Sequence, residues 1–152
     1  MMYLLDVNVL LALGYGDHSL HERAEAWMNC VHRDDSSVKF ATCSTTEMGF
    51  VRIACGKFGL AADVSVARAD LNRLKARRLF TFLTDASGAD RLPKWVEKSK
   101  QVTDGHLLQV ATDHCAAFAT LDEGIPGALL IPKETSGTLF VREPLVPYGI
   151  AA

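Results

Sequence analysis

Four acidic residues, each closing or opening a hydrophobic run, carry the chemistry that this chain can do. They are Asp6 in LLDVNVLLAL, Glu47 in STTEMGFVRI, Asp104 in VTDGHLLQVA and Asp122 in FATLDEG. An acid at the carboxyl end of a strand, or in the first turn of a helix, points into the crevice where open α/β sheets bind ligands. Four carboxylates brought together there repel one another unless a cation neutralises them. An all-oxygen donor set suits Mg²⁺ or Mn²⁺, the ions of phosphoryl chemistry.

Each acid also has a purely local explanation. Asp6 can cap the helix that follows it, and Glu47 stands at capping-box spacing from Ser44. Asp104 in a first helical turn complements the helix dipole, and Asp122 before Glu123-Gly124 suits a turn. All four nevertheless lie in sequence otherwise built for burial. Burying several carboxylates without a cation costs several kcal/mol per ion, roughly.

The elements that must position these acids follow from the pattern of the chain. Residues 2–5 (MYLL) read as a buried strand, VNVLLALGYG as a short helix stopped at Gly14 or Gly16, and 19–32 as a helix with Ala24, Trp27, Met28 and Val31 on one face. VKFATC is a second strand, and Ser44 opens a helix that ends at Gly56. A helix over 62–75 has Val64, Ala67, Leu71 and Leu74 on its inner face. Leu79–Leu83 is a short strand, and a short helix lies between Gly88 and Pro93. Thr103 caps the helix DGHLLQVATDH, CAAFATL is the next strand, and GALLI and TLFV are further ones. Strands alternating with helices predict an α/β fold with a largely parallel sheet.

Length and composition set the frame. The 152 residues suit one domain spanning 1–152, and 49% hydrophobic with 22% charged residues is ordinary for a folded globular chain. No apolar run reaches the roughly 20 residues that span a bilayer, and MMYLLDVN lacks the basic start of a signal peptide, so a cytoplasmic, membrane-free protein is expected. Cys30, Cys43, Cys55 and Cys115 form no C-x-x-C pair; Cys43 and Cys115 sit in apolar runs as small hydrophobes.

The net charge of −2 is unevenly spread: residues 52–100 hold eleven Lys/Arg against five acids, +6, and the remainder carries −8. A basic middle beside an acidic cluster matches a metal-dependent nuclease, with Arg68, Arg73, Lys75, Arg77 and Arg78 as candidate RNA-binding residues. A solvated helical face explains the same charges without a ligand. His18, His21 and His114 lack zinc spacing. The chain also has no G-x-S-x-G, no P-loop and no complete dinucleotide fingerprint at Gly14-Tyr15-Gly16.

Taken in order, LLDVNVLLAL, TTEMGFVRIA, TDGHLLQVA and ATLDEGIP resemble the motifs of PIN-domain ribonucleases, above all the VapC toxins of bacterial toxin–antitoxin pairs, over nearly the whole chain. The resemblance implies a PIN-like sheet flanked by helices and an Mg²⁺- or Mn²⁺-dependent endoribonuclease leaving 5′-phosphate and 3′-hydroxyl ends. It makes Asp6 and Asp104 the main metal ligands, with Glu47 and Asp122 completing the quartet. Asn8 and Thr120 match polar positions beside the site, where they would orient ligands or water. It further implies an RNA substrate, a cognate VapB-like antitoxin and a homodimer.

Two other readings stay open. A non-catalytic PIN-like module would hold RNA or protein with the acids in structural roles. Asp6 with Asn8 also resembles the D-x-D start of haloacid-dehalogenase phosphatases, but the second acid is Asn and the later acidic motif is missing.

Overall fold

The computed structural model describes residues 1–133 apart from 58 and 79, and in it the apolar runs become five parallel strands. They are β1 (Met2–Leu5), β2 (Lys39–Cys43), β3 (Phe80–Leu83), β4 (Ala117–Thr120) and β5 (Leu129–Leu130), ordered β3-β2-β1-β4-β5. Five helices connect them: α1 (Val7–Gly14), α2 (His21–Asp34), α3 (Ser44–Ala54), α4 (Val64–Ala76) and α5 (Val102–Asp113).

Strand alternation sends side chains to two separate cores, which is why these strands read as continuous apolar runs. Leu5, Phe40 and Ala119 face α1 to α4, packing with Leu10, Trp27, Phe50, Leu71 and Leu74. Leu4, Ala41, Cys43 and Phe118 face α5, packing with Leu107, Val110 and Ala111. On the four-helix side the Trp27 ring meets Tyr3 edge-on at 5.2 Å between centroids and Phe40 at 6.0 Å.

From β1 the chain builds outward through β2 to β3, then returns to lay β4 on the other side of β1. The strand order reverses between β1 and β4. A crevice opens at such a reversal, at the carboxyl ends of the strands; Asp6 follows β1 there and Asp122 lies two residues past β4. The turn from β4 back to β5 passes through Gly124 and Gly127, at φ 84° and 82°, conformations that favour glycine.

Local chemistry departs from the sequence expectation at several points. The helix expected over 19–32 runs His21–Asp34, and GALLI contracts to Leu129–Leu130. Thr103 does not cap α5, which starts one residue earlier at Val102 behind Gln101. Val64, placed on the inner face of α4 by its spacing, is exposed because it begins the helix. Cys115 is exposed rather than buried, in a left-handed turn at φ 54° between α5 and β4. The strand expected at TLFV lies outside the described residues. Among the described residues no helix is long and apolar enough to cross a membrane.

The approach of α1 to α3 depends on Gly49: a Cβ there would lie 2.7 Å from Val7 Cγ2. Val7 is β-branched and cannot swing aside freely. Gly49→Ala adds about 1 kcal/mol of helix propensity, whereas overpacking costs about 1–3 kcal/mol. A thermal melt by circular dichroism is expected to show a Tm lowered by several degrees. An unchanged or raised Tm would mean that the two helices part without cost.

Candidate active site

Asp6 does two things at once. It caps α1, its Oδ1 accepting from the Val7 backbone N–H at 2.7 Å, and it is 6% exposed beneath the carboxyl edge of the sheet. Its Oδ2 accepts from the Thr120 hydroxyl at 2.6 Å. Thr120 Oγ1 in turn accepts from the Asp122 backbone N–H at 3.1 Å and from Asn8 Nδ2 at 3.4 Å. Asn8 Oδ1 closes the circuit by accepting from the Leu121 N–H at 3.2 Å. One proton and two lone pairs exhaust what a threonine hydroxyl can offer. Thr120 and Asn8 thus fix the ends of β1 and β4 to each other.

Asp104 and Asp122 complete a negative cluster around Asp6. Burial pushes the Asp6 carboxyl up to about 6, the charges of Asp104 and Asp122 add to the rise, and the bonds from Thr120 and Val7 oppose it. Asp104, half-buried in the first turn of α5, is raised by burial and then by the charge of Asp122. Asp104 and Asp122 also line an open cleft of about 440 Å³.

Glu47 stands on the β2 side of the same sheet edge. Its Oε1 accepts from the Thr42 hydroxyl at 2.6 Å and also meets the Lys75 ammonium from α4. Both contacts fall on Oε1, and among the described residues no partner meets Oε2. The capping box expected between Ser44 and Glu47 does not form. Cys43 occupies the N-cap position, Thr46 bonds back to its backbone N–H at 3.0 Å, and Ser44 turns to Asp85. Among the described residues no three His, Cys, Asp or Glu side chains form a ready-made metal cage.

The five cations proposed to steer RNA are dispersed in role. Lys75 belongs to the Glu47 pair and lies 6.0 Å from the Phe82 ring centroid. Arg73 pairs with Asp70 at 3.0 Å, Arg77 with Glu25 at 2.5 and 3.0 Å, and Arg78 bonds Asn29 at 2.6 Å. Of the five, Arg68 alone is without a partner among the described residues.

Sequence reasoning missed Asp85, just beyond β3. It accepts from the Ser44 hydroxyl and from both the Thr45 N–H (3.0 Å) and hydroxyl, and lies 3.5 Å from His106 Nε2 of α5. Burial works to raise its pKa, but these bonds outweigh it and hold the carboxyl well below the usual range. Asp85 thereby caps α3 from a distant strand and faces the helix that carries Asp104. Its one signal in sequence was an acid following a short apolar run, TFLTD, in a segment with no clear pattern.

No protein-family model matches the chain. Individual relatives do. It is 38% identical over 141 residues to the ribonuclease VapC44 of Mycobacterium tuberculosis, covering 84% of this chain and 94% of that protein. It is 35% identical to the ribonuclease VapC29 of the same organism, covering 89% and 100%. With the ribonuclease VapC38, also from M. tuberculosis, the identity is 35% over 82% of this chain and 87% of the relative. Among solved structures, a chain of the VapBC2 complex from Rickettsia felis, bound to a DNA fragment from their promoter, matches with a TM-score of 0.60. At 13% identity over 86% of this chain and 97% of that one, this likeness shows a shared fold, the PIN-like sheet flanked by helices. Identity above 30% across most of both sequences establishes descent: the chain belongs to the VapC ribonuclease family.

Proposed function

We propose that this chain is a metal-dependent endoribonuclease, the toxin of a type II toxin–antitoxin pair, hydrolysing RNA phosphodiesters at the carboxyl edge of β1 and β4. The observation that carries the reading is the convergence of Asp6, Asp104 and Asp122: the charges of Asp104 and Asp122 raise the proton affinity of Asp6, and that of Asp122 raises Asp104's. The relatives' names, ribonuclease VapC, support RNA as substrate. The VapBC2 complex supports a VapB-like antitoxin as partner. A homodimer acting on cytoplasmic RNA accords with the motif resemblance.

The chemistry of the donors suits a divalent cation, which would draw the acids together, since among the described residues no three stand as a preformed cage. The donors are all carboxylate oxygens, the choice of Mg²⁺ and Mn²⁺, and among the described residues no Lys or Arg pairs with the three aspartates. Asp6, Asp104 and Asp122 would hold the ion, with Glu47 reaching in through its free Oε2. A bound ion supplies positive charge for the scissile phosphate and activates water for its hydrolysis. Thr120 keeps Asp6 and the Asp122 backbone in register, Asn8 anchors the turn after β4, and Thr42 and Lys75 keep Glu47 at its end of the edge.

The test is cleavage of total RNA by antitoxin-free protein in Mg²⁺ or Mn²⁺. Discrete fragments with 5′-phosphate and 3′-hydroxyl ends are expected, lost in EDTA and reduced by at least about a hundredfold in Asp104→Asn with an unchanged melting curve. Cleavage that survives both treatments would sink the assignment, and RNA binding indifferent to EDTA, without turnover, would point to a binding module.

The strain in the cluster makes a second prediction. Asp6 has a folded pKa of about 6 against 3.8 for the free group, so the folded state holds its proton more tightly. Stability from this group is therefore full below pH about 4 and is lost as pH rises to about 6. The loss is about 2–3 kcal/mol at roughly 1.4 kcal/mol per unit. Metal-free Asp6→Asn should melt above the wild type at pH 7 and lose that advantage near pH 4. Saturating Mg²⁺ should raise the Tm of the wild type more than that of the variant. A variant less stable than the wild type at both pH values would contradict the account.

A further inference from the structure

We propose that the cleft beside Asp104 and Asp122 is a nucleotide subsite: Trp95 stacks on an unpaired RNA base, Gln101 donates to that base's edge, and Lys100 takes an adjoining phosphate. The proposal rests on the ribonuclease reading and deepens it. The cleft, at about 440 Å³, is lined by Asp104 and Asp122 together with Trp95, Lys100 and Gln101. That volume is within the range of roughly 300–1,000 Å³ typical of small-ligand sites. It places an aromatic ring, an amide and a cation next to the acids at which the phosphodiester would be cut.

The chain's two tryptophans have different surroundings. Trp27 is 2% exposed and wedged between Tyr3 and Phe40 in the core. Trp95 is half-buried, lines the cleft, and among the described residues stacks on no other ring. Its position is nonetheless fixed. The turn that carries it is closed by the Val96 N–H donating to the Pro93 carbonyl at 3.0 Å. That turn is pressed onto α5 at Gly105, where a Cβ would stand 2.3 Å from Val96 Cγ2 and 3.3 Å from Pro93 Cδ. Gly105 directly follows Asp104, so the glycine sets the tryptophan's turn against the first turn of the helix that carries the acid. An aromatic ring held at the rim of a charged groove is a platform on which an unpaired base stacks.

Gln101 is oriented by its own hydrogen bonds. Its Oε1 accepts from the Glu97 N–H at 3.0 Å and the Lys98 N–H at 2.9 Å, and only an oxygen can accept both. What remains is Nε2, a pair of donors with no partner among the described residues, suited to a base carbonyl or ring nitrogen. Lys100 is exposed and unpaired among the described residues, whereas Arg73, Lys75 and Arg77 are each matched to an acid. Among the described residues that line the cleft Lys100 is the one cation, and so the one placed to meet a phosphate.

The experiment titrates a short unpaired oligoribonucleotide of mixed sequence into Asp104→Asn protein in Mg²⁺ and follows tryptophan fluorescence. Quenching is expected, since Trp27 is shielded and Trp95 is not. It should vanish when Trp95→Phe is added to the same background, and a blunt duplex of the same sequence should not produce it. In the otherwise unaltered enzyme, Trp95→Ala should raise KM roughly tenfold with kcat within about twofold, and Trp95→Tyr should restore KM. Gln101→Glu keeps the oxygen that the backbone needs but loses the donors, and should also raise KM. If the wild type cleaves RNA while Trp95→Ala keeps its KM and no quenching is seen, the subsite is refuted. If the wild type cleaves nothing, the ribonuclease reading fails, and the fluorescence titration still decides whether Trp95 meets RNA.

Discussion

Where the strand order reverses, between the paired strands β1 and β4, the Thr120 hydroxyl adds a side-chain tie to the backbone ladder. It donates to Asp6 beyond β1 while accepting from the Asp122 backbone beyond β4, and Asn8 braces the same junction from α1. The backbone ladder sets the spacing of the two strand ends, with the Asp6 N–H donating to the Ala119 carbonyl at 2.9 Å, and the Thr120 tie orients the Asp6 carboxylate there. With it, Asp6 stays at the sheet edge at the cost of a raised proton affinity. The same Asp6 caps α1, while α5, which carries Asp104, is placed by the packing of Leu107, Val110 and Ala111 on the other face of the sheet.

The remaining acids come from opposite faces of the sheet. Glu47 rides on α3, among the four helices of the larger core, and Asp104 on α5, which packs alone on the other face. Asp85 spans that division by capping α3 while facing His106 of α5. The two helices are thus referenced to each other as well as to the strands between them. Lys75 neutralises Glu47 locally, which explains why the cluster's uncompensated charge is concentrated on the three aspartates.

Much of this was legible in the chain because it depends on short-range pattern. MYLL, KFATC and AFAT are apolar runs bounded by acids or small polar residues, and they became β1, β2 and β4 nearly as read. Asp6, Asp104 and Asp122 stood out because a charge in an apolar context is unusual, and the charges of Asp104 and Asp122 are both felt at Asp6. What was not legible depends on partners distant in sequence. Ser44 spends its hydroxyl on Asp85, forty-one residues away, so the capping box suggested by its spacing from Glu47 was never available. The basic stretch of α4 looked like a phosphate track. Three of its cations, Arg73, Lys75 and Arg77, are instead committed to Asp70, Glu47 and Glu25, two of them in other elements. Trp95 lies in a segment without periodicity, where pattern says little about position.

The segment from 84 to 101, irregular but for two 3-10 turns, contributes no strand to the sheet. It is fastened instead by side chains: Arg91 and Ser87 to Asp113, and Pro93 and Val96 to Gly105. The acids, in contrast, ride on helices and strand ends. Apart from Asp85, which caps α3, the residues of this strap between its fastenings can therefore change while Asp6, Glu47, Asp104 and Asp122 keep their supporting elements. Under the proposed reading the carboxylates sit apart from the segment that would meet the RNA, so related chains could drift apart in target choice while keeping the same hydrolytic chemistry.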